Sequence, residues 1–270
     1  MSGQQNDVSE WWSTSIIDMA PGQIRFRGHP IEELIGNVSF PHMIWLMTRG
    51  ELPSDGESKL LEAALVAAVD HGPQAPSIAT ARMAVTCGLG LNGAMASAVN
   101  MLDDVHGGAG EQAVELYSMI DTAMQQGVSL EQAASDQLEL WMEERTRFVP
   151  GFGHRFHKPV DPRAPRLLAL VDEAAQEGIV SGRFAVIARA LQDALNNKKG
   201  KPVPLNIDGA TAVIYAELGF AAPLARGLFC LSRSVGAMAH AWEQMNQGGR
   251  NKGPTPPAYR WHYTGKNPIE

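Results

Sequence analysis

Ser58-Lys59-Leu60-Leu61-Glu62-Ala63-Ala64-Leu65-Val66-Ala67-Ala68-Val69 is the stretch whose reading decides the fold class. Leu61, Ala64, Leu65 and Ala68 recur three and four residues apart. That spacing gathers them on one face of an α-helix, whereas a strand would divide them between its two faces.

The same spacing extends in both directions. Upstream, Ser39 reads as the N-cap of a helix through Ile44, Trp45 and Met47, stopped by Gly50 and Pro53. Before it, Pro30 opens a helical turn with Glu32 and Glu33 at its start, where the helix dipole favours negative charge, and Gly36 ends it. Downstream, helices are expected over 77–87, 94–103, 114–124, 130–145, 164–177, 183–195, 210–218 and 224–245, each bounded by Gly, Pro or a capping side chain. The last carries Leu228, Leu231 and Val235 on one stripe. Ile24 to Arg27 reads as a short strand after a Pro21-Gly22 turn, but nothing alternates with period two for long enough to build a sheet. The expected class is all-α.

Composition narrows the function. The 270 residues carry 29 acidic and 22 basic side chains, a formal net charge of -7. An acidic chain without a basic run is a poor partner for nucleic acid, because neutralising phosphates takes clustered Lys and Arg. An anionic substrate would have to be met by local cations. Cys87 and Cys230 lie far apart in apolar helical surroundings, so two buried free thiols are expected rather than a disulfide or zinc site. Residues 1–9 are expected to be loose and show no secretion signal. No apolar stretch approaches the ~18 residues that span a bilayer, so no membrane role and a cytoplasmic setting are expected. After Gln247, Gly, Pro, Tyr, Trp and His predict an ordered, aromatic-anchored tail, suited either to clasping a partner subunit or to packing on its own surface.

Three passages do not read as ordinary helix or core: Asp104-Val105-His106-Gly107-Gly108-Ala109, Pro150-Gly151-Phe152-Gly153-His154 running on to Asp161-Pro162-Arg163, and Asn206-Ile207-Asp208-Gly209. Each sets an ionisable side chain beside glycines, where backbone can turn tightly and lie close to a ligand. Two histidines and a carboxylate so placed suggest acid–base chemistry. The plainer reading of Asp208 is a helix N-cap. For His71 it is a charge at a helix C-terminus, and for Arg163 and Arg233 structural ion pairs.

These passages, together with Arg27-Gly28-His29-Pro30-Ile31-Glu32-Glu33-Leu34, Gly50-Glu51-Leu52-Pro53, Asp70-His71-Gly72-Pro73 and Ser232-Arg233-Ser234-Val235-Gly236, resemble the citrate synthase superfamily in order from roughly Ile17 onward. The segment between Pro53 and His71 is much shorter than in classical citrate synthases. The Asp-His-Gly-Pro and Asn-Ile-Asp-Gly wording and Tyr259-Arg260-Trp261 look closer to free-standing citryl-CoA lyases and the lyase module of ATP-citrate lyase.

The resemblance implies a two-domain, N-terminally shortened helical fold, with residues 1–109 and 220–270 in a larger domain and 110–219 in a smaller one. It implies a homodimer and a cleft that closes on substrate. The implied reaction is cleavage of citryl-CoA to acetyl-CoA and oxaloacetate, with a CoA thioester as substrate and no tightly bound cofactor. The alternatives are condensation to citrate or 2-methylcitrate, and a non-catalytic homologue binding CoA or a tricarboxylate. The implied roles are Asp208 as the base at the acetyl carbon, His106 at the thioester oxygen and His154 at the ketone or hydroxyl oxygen. His71, Arg163 and Arg233 would hold carboxylates, the arginines by bidentate pairing. Pro150, Gly151, Phe152 and Gly153 would lie along the CoA adenine, and Lys158 would meet CoA phosphates.

Two further patterns are discounted. Gly88-Leu89-Gly90-Leu91-Asn92-Gly93 matches a dinucleotide-binding glycine pattern but lacks the preceding strand and falls where a helix–helix turn is expected. His154 with His157, and His240 with Glu243, lack a third ligand at suitable spacing, so no metal is expected.

Overall fold

The computed structural model describes residues 11–266, so the expectation for residues 1–9 lies outside the described residues. The chain opens with an antiparallel meander in the order β1-β2-β3: β1 (Ile17–Ala20), β2 (Gln23–Phe26) and β3 (His29–Pro30). Pro21 and Gly22 make the first turn, with Gly22 at φ 76°. The expected strand is therefore present, with two partners. Its small sheet escaped the period-two test because the strands run only four, four and two residues, too short to sustain an alternation.

Eleven helices follow among the described residues: α1 (Ile31–Leu34), α2 (Phe40–Arg49), α3 (Asp55–Ala68), α4 (Pro76–Thr86), α5 (Leu91–Asn100), α6 (Ala109–Gln125), α7 (Leu130–Glu144), α8 (Arg163–Gln176), α9 (Arg183–Lys199), α10 (Ile207–Glu217) and α11 (Ala222–Gln247). Helix α3 begins earlier than expected because Ser54 and Glu57 close a capping box around its first turn. The Gly88–Gly93 pattern covers the end of the α4–α5 connection and the first turn of α5.

Position in the packing follows composition. Helix α10 is apolar on every side and lies at the centre of the main core, against α3, α6, α8 and α9. A second, smaller core joins α4, α5 and α11 through Ala75, Ile78, Ala81, Ala94, Ala98, Ala237 and Ala241. Such short side chains let the three helices approach closely. Helix α11 spans both cores. Its Leu228 is buried as expected, but Leu231 and Val235 face outward.

Two other expectations need correction. Cys87 is exposed, because α4 ends at Thr86 and leaves it as the C-terminal cap, while Cys230 is half-buried. The tail is tied to the body where Asn251 and Lys252 donate backbone N–H groups to Thr86. Beyond that, Tyr259, Trp261 and Tyr263 stand exposed, so the aromatic side chains do not anchor it to its own chain. Among the described residues no helix is long and apolar enough to cross a membrane.

Candidate active site

A cavity of about 890 Å³ opens where the 71–76 turn, the 105–109 loop, the 148–156 loop, the start of α10 and the middle of α11 meet. His71, His106, His154, Asp208 and Arg233, distant in sequence, all line it.

Asp208 reaches the cavity because another residue does the capping. The Asn206 side chain accepts from the backbone N–H groups of Asp208 and Gly209, at 2.9 and 3.2 Å, and also donates to the carbonyl of Gly153 at 2.8 Å. The N-cap reading of Asp208 thus gives way to Asn206. Burial pushes the Asp208 carboxyl above the usual carboxylate range, against the pull of Arg233 and Arg163, with the Asp161 charge adding to the rise.

The two central imidazoles are each held in one tautomer. The backbone N–H of Ser77, in the first turn of α4, donates to Nε2 of His106 at 3.2 Å, and Ser77 Oγ lies 3.0 Å from the same atom. A ring nitrogen that accepts from an amide carries no proton, so neutral His106 bears its hydrogen on Nδ1. Burial, then the Arg233 charge, holds its pKa below the ordinary histidine value. In His154 the assignment is reversed. Nδ1 accepts from the backbone N–H groups of Phe156 and His157, at 3.0 and 2.9 Å, leaving Nε2 to carry the proton. Burial lowers its pKa, with His157 and Arg163 adding to the effect and Asp161 opposing it.

Of the three basic side chains expected here, Arg233 and His71 line the cavity, whereas Arg163 lies outside its lining. Arg233 is 4% exposed, donates through Nε to the carbonyl of Ala68 at 3.1 Å and stacks over Phe229. His71 sits edge-on to His154, ring centroids 5.3 Å apart. Burial lowers its pKa, followed by the charges of Arg163, Arg233, His154 and His157. Arg163 is gripped by Asp161 through Nε at 3.0 Å and Nη2 at 2.8 Å, so the ion-pair reading of Arg163 describes its contacts correctly. Its charge nonetheless acts on His71, His154 and Asp208.

Gly153 lines the main cavity, while Pro150, Gly151 and Phe152 line an adjoining hollow of about 740 Å³ that shares Val105, Ala109, Phe148 and Asn206 with it. Lys158 is exposed and lines neither space. Sequence reasoning missed Ser77, Asn206 as the cap, and Asp161, which also accepts from the Ile207 backbone N–H at 3.2 Å and so joins the starts of α8 and α10. It missed Arg226 too, whose guanidinium pairs with Asp103, Asp104 and Glu111 and braces the His106 loop. Asn206 alone had a legible signal, as an Asn three residues before a glycine at a helix start.

The family description "Citrate synthase, C-terminal domain" matches residues 3–59 and 54–255. The chain belongs to the citrate synthase family. A solved citryl-CoA lyase from Hydrogenobacter thermophilus is 33% identical and superposes with a TM-score of 0.82 over 96% of both chains. A citrate synthase from Heyndrickxia coagulans is 31% identical over 221 residues, 80% of this chain and 54% of that protein. The chain spans about half the length of the curated relatives it matches, 56% and 53% of two further citrate synthases. An ATP citrate lyase from Methanothrix soehngenii, solved with citrate and coenzyme A, shares the fold at 20% identity and a TM-score of 0.77. Membership bears out the expected citrate synthase-like helical fold.

Proposed function

We propose that the chain cleaves citryl-CoA to acetyl-CoA and oxaloacetate, taking the CoA thioester as a substrate and using no tightly bound cofactor. The observation that carries this reading is the meeting, in one cavity, of a carboxyl group raised by burial and two imidazoles fixed in opposite tautomers.

In the condensing direction Asp208 removes a methyl proton from acetyl-CoA. The developing enolate oxygen receives the Nδ1–H of His106, a neutral donor that the Ser77 amide keeps from protonating at Nε2. The new carbon–carbon bond forms as the ketone oxygen of oxaloacetate takes the Nε2 proton of His154. Two amide N–H bonds at Nδ1 then stabilise the electron density left on that ring. Cleavage retraces these steps: Nε2 takes the hydroxyl proton, the carbon–carbon bond breaks and Asp208 returns a proton to the acetyl carbon. The cleavage-competent form therefore carries its mobile proton on Asp208 rather than on His154. Burial of the carboxyl favours that form, and so do the two amides at Nδ1. His71, Arg163 and Arg233 hold the carboxylates. Pro150 to Gly153 flank the adenine of CoA, and Lys158 reaches its phosphates only if the 154–160 segment folds inward.

Closure of the 110–219 part onto residues 1–109 and 220–270 expels water from the cavity. We also propose a homodimer. Leu231, Val235, Met238, Trp242 and Met245 lie exposed along α11 at spacings of three and four residues, an apolar stripe that calls for a cover. Sedimentation would give twice the mass of one chain; a monomer at micromolar concentration would refute this.

The lyase direction is favoured by the 33% identity and 96% mutual coverage with the citryl-CoA lyase. The curated citrate synthases support condensation to citrate or a 2-methyl analogue as the second reading, which requires thioester hydrolysis as well. One experiment separates the readings. Oxaloacetate formed from citryl-CoA, without free thiol, supports the lyase, and thiol from acetyl-CoA plus oxaloacetate supports the synthase. Silence in both supports a homologue that only binds CoA or a tricarboxylate.

A further inference from the structure

We propose that His240 is a positioning residue for His71, acting through Asp70 on the turn that presents the His71 imidazole to the cavity. What His71 binds rests on the reading above; that His240 places it does not.

Helix α11 meets the 68–72 corner through three side-chain positions on one face. Arg233 donates to the carbonyl of Ala68 at 3.1 Å. Gly236, one turn on, packs so tightly that a Cβ there would lie 2.2 Å from the carbonyl oxygen of Val69. His240, another turn on, brings Nε2 to 3.3 Å from Oδ1 of Asp70. The three positions are spaced i, i+3 and i+7, so a single helical stripe follows the corner residue by residue.

The imidazole is itself oriented. Arg82 of α4 places Nη1 3.2 Å from Nδ1 of His240. A guanidinium can only donate, so Nδ1 accepts and the neutral ring carries its proton on Nε2, facing Asp70. Arg82 is held in turn by Glu243 at 2.6 Å and Gln247 at 2.7 Å. The other oxygen of Asp70 accepts from the backbone N–H of Gly72 at 3.0 Å, closing the turn around His71. Gly72 adopts φ 83°, a conformation open to glycine and resisted by other residues, so the turn depends on glycine at this position. Asp70 Oδ1 is sealed from solvent and makes no hydrogen bond of regular geometry, so the 3.3 Å contact with His240 Nε2 helps to offset its burial. The relay runs Glu243 and Gln247, Arg82, His240, Asp70, Gly72, with His71 as its output. The pairing of His240 with Glu243, metal-like in the sequence, has the Arg82 guanidinium between its two members.

The test uses the His71 ring as its own reporter. Isotope-labelled histidine NMR follows the His71 titration in the wild type, in His240→Ala and in Asp70→Asn, which keeps the side-chain volume. The groups facing His71 are Arg163, Arg233, His154 and His157, whose charges lower its pKa together with burial. Loosening the turn moves the ring away from all of them, so its midpoint rises in both variants, and His240→Gln, which keeps an N–H toward Asp70, restores it. In the condensation assay the KM for oxaloacetate rises about tenfold while that for acetyl-CoA stays within about twofold. An unchanged His71 titration in both variants overturns the proposal, whatever the reaction. A raised midpoint with an unchanged oxaloacetate KM upholds it and instead refutes the assignment of His71 to the substrate.

Discussion

The backbone N–H of Ser77 and Nε2 of His106 lie 3.2 Å apart, joining the first turn of α4 to the loop before α6. The amide fixes which nitrogen of His106 can donate, and it does so from a helix start, where an unpaired N–H is in any case available.

His106→Ala is accordingly expected to lower kcat by about 10²–10³ in either direction, the usual cost of removing one donor to a developing oxyanion. Ser77→Ala removes only the hydroxyl and leaves the amide, so its loss should stay within about tenfold. Comparable losses in the two variants would show that the hydroxyl, not the amide, sets the tautomer.

The acid limb of the kcat/KM profile follows Asp208. Its folded-state pKa is raised, so in condensation the base is lost as pH falls through a value above the usual carboxylate range. The carbon–carbon step takes up no net proton, so cleavage must show the same limb. His106 and His154 are both depressed, which keeps them neutral below the ordinary histidine midpoint. A limb at the midpoint of a free carboxylate would remove Asp208 from the base role.

Asp208→Asn should abolish turnover without harming the fold. A carboxyl whose pKa is higher folded than unfolded binds its proton more tightly in the native state, so stability falls as pH rises through that interval. At neutral pH the neutral amide is therefore expected to leave Tm unchanged or higher by calorimetry. Near-normal turnover in the variant would exclude the proposed mechanism.

Asp161 has the opposite sign. Although burial pushes the other way, the bonds and charge of Arg163 hold its pKa below the usual range, so its stabilisation is present at neutral pH and lost on acidification. Its side chain is fully buried. Asp161→Asn should cost about 3 kcal/mol at neutral pH in denaturant titrations, with the difference from wild type shrinking in acid. It should also raise the KM for oxaloacetate by freeing Arg163. A stability difference independent of pH would contradict the ion-pair account.

The sequence carried the helical class plainly because apolar spacing is a local property, and Leu61, Ala64 and Ala68 indeed bury on one face of α3. Helix starts were less legible. Asp208 and Gly209 fall before the helix expected from Ala210, yet they form the first turn of α10, because glycines that admit a close neighbour look the same in sequence as glycines that break a helix. His71, His106, His154, Asp208 and Arg233 were legible only as an ordered set of motifs, and their convergence was not, since no local pattern encodes contacts between distant segments. Ser77 acts through its backbone, which every residue except proline possesses, so nothing in its side chain could mark it.

Gly151 and Gly209 stand back to back: a Cβ on Gly151 would lie 2.6 Å from the Gly209 Cα, and one on Gly209 would lie 2.4 Å from the Gly151 carbonyl oxygen. The strand of backbone leading to His154 and the helix turn bearing Asp208 are thereby welded at a point where neither can gain an atom. On the proposed reading, redesign of the adjoining hollow for a bulkier or trimmed nucleotide handle should leave this joint alone and work from Phe148 or Phe152, because a displacement at Gly151 is passed to the turn that bears Asp208.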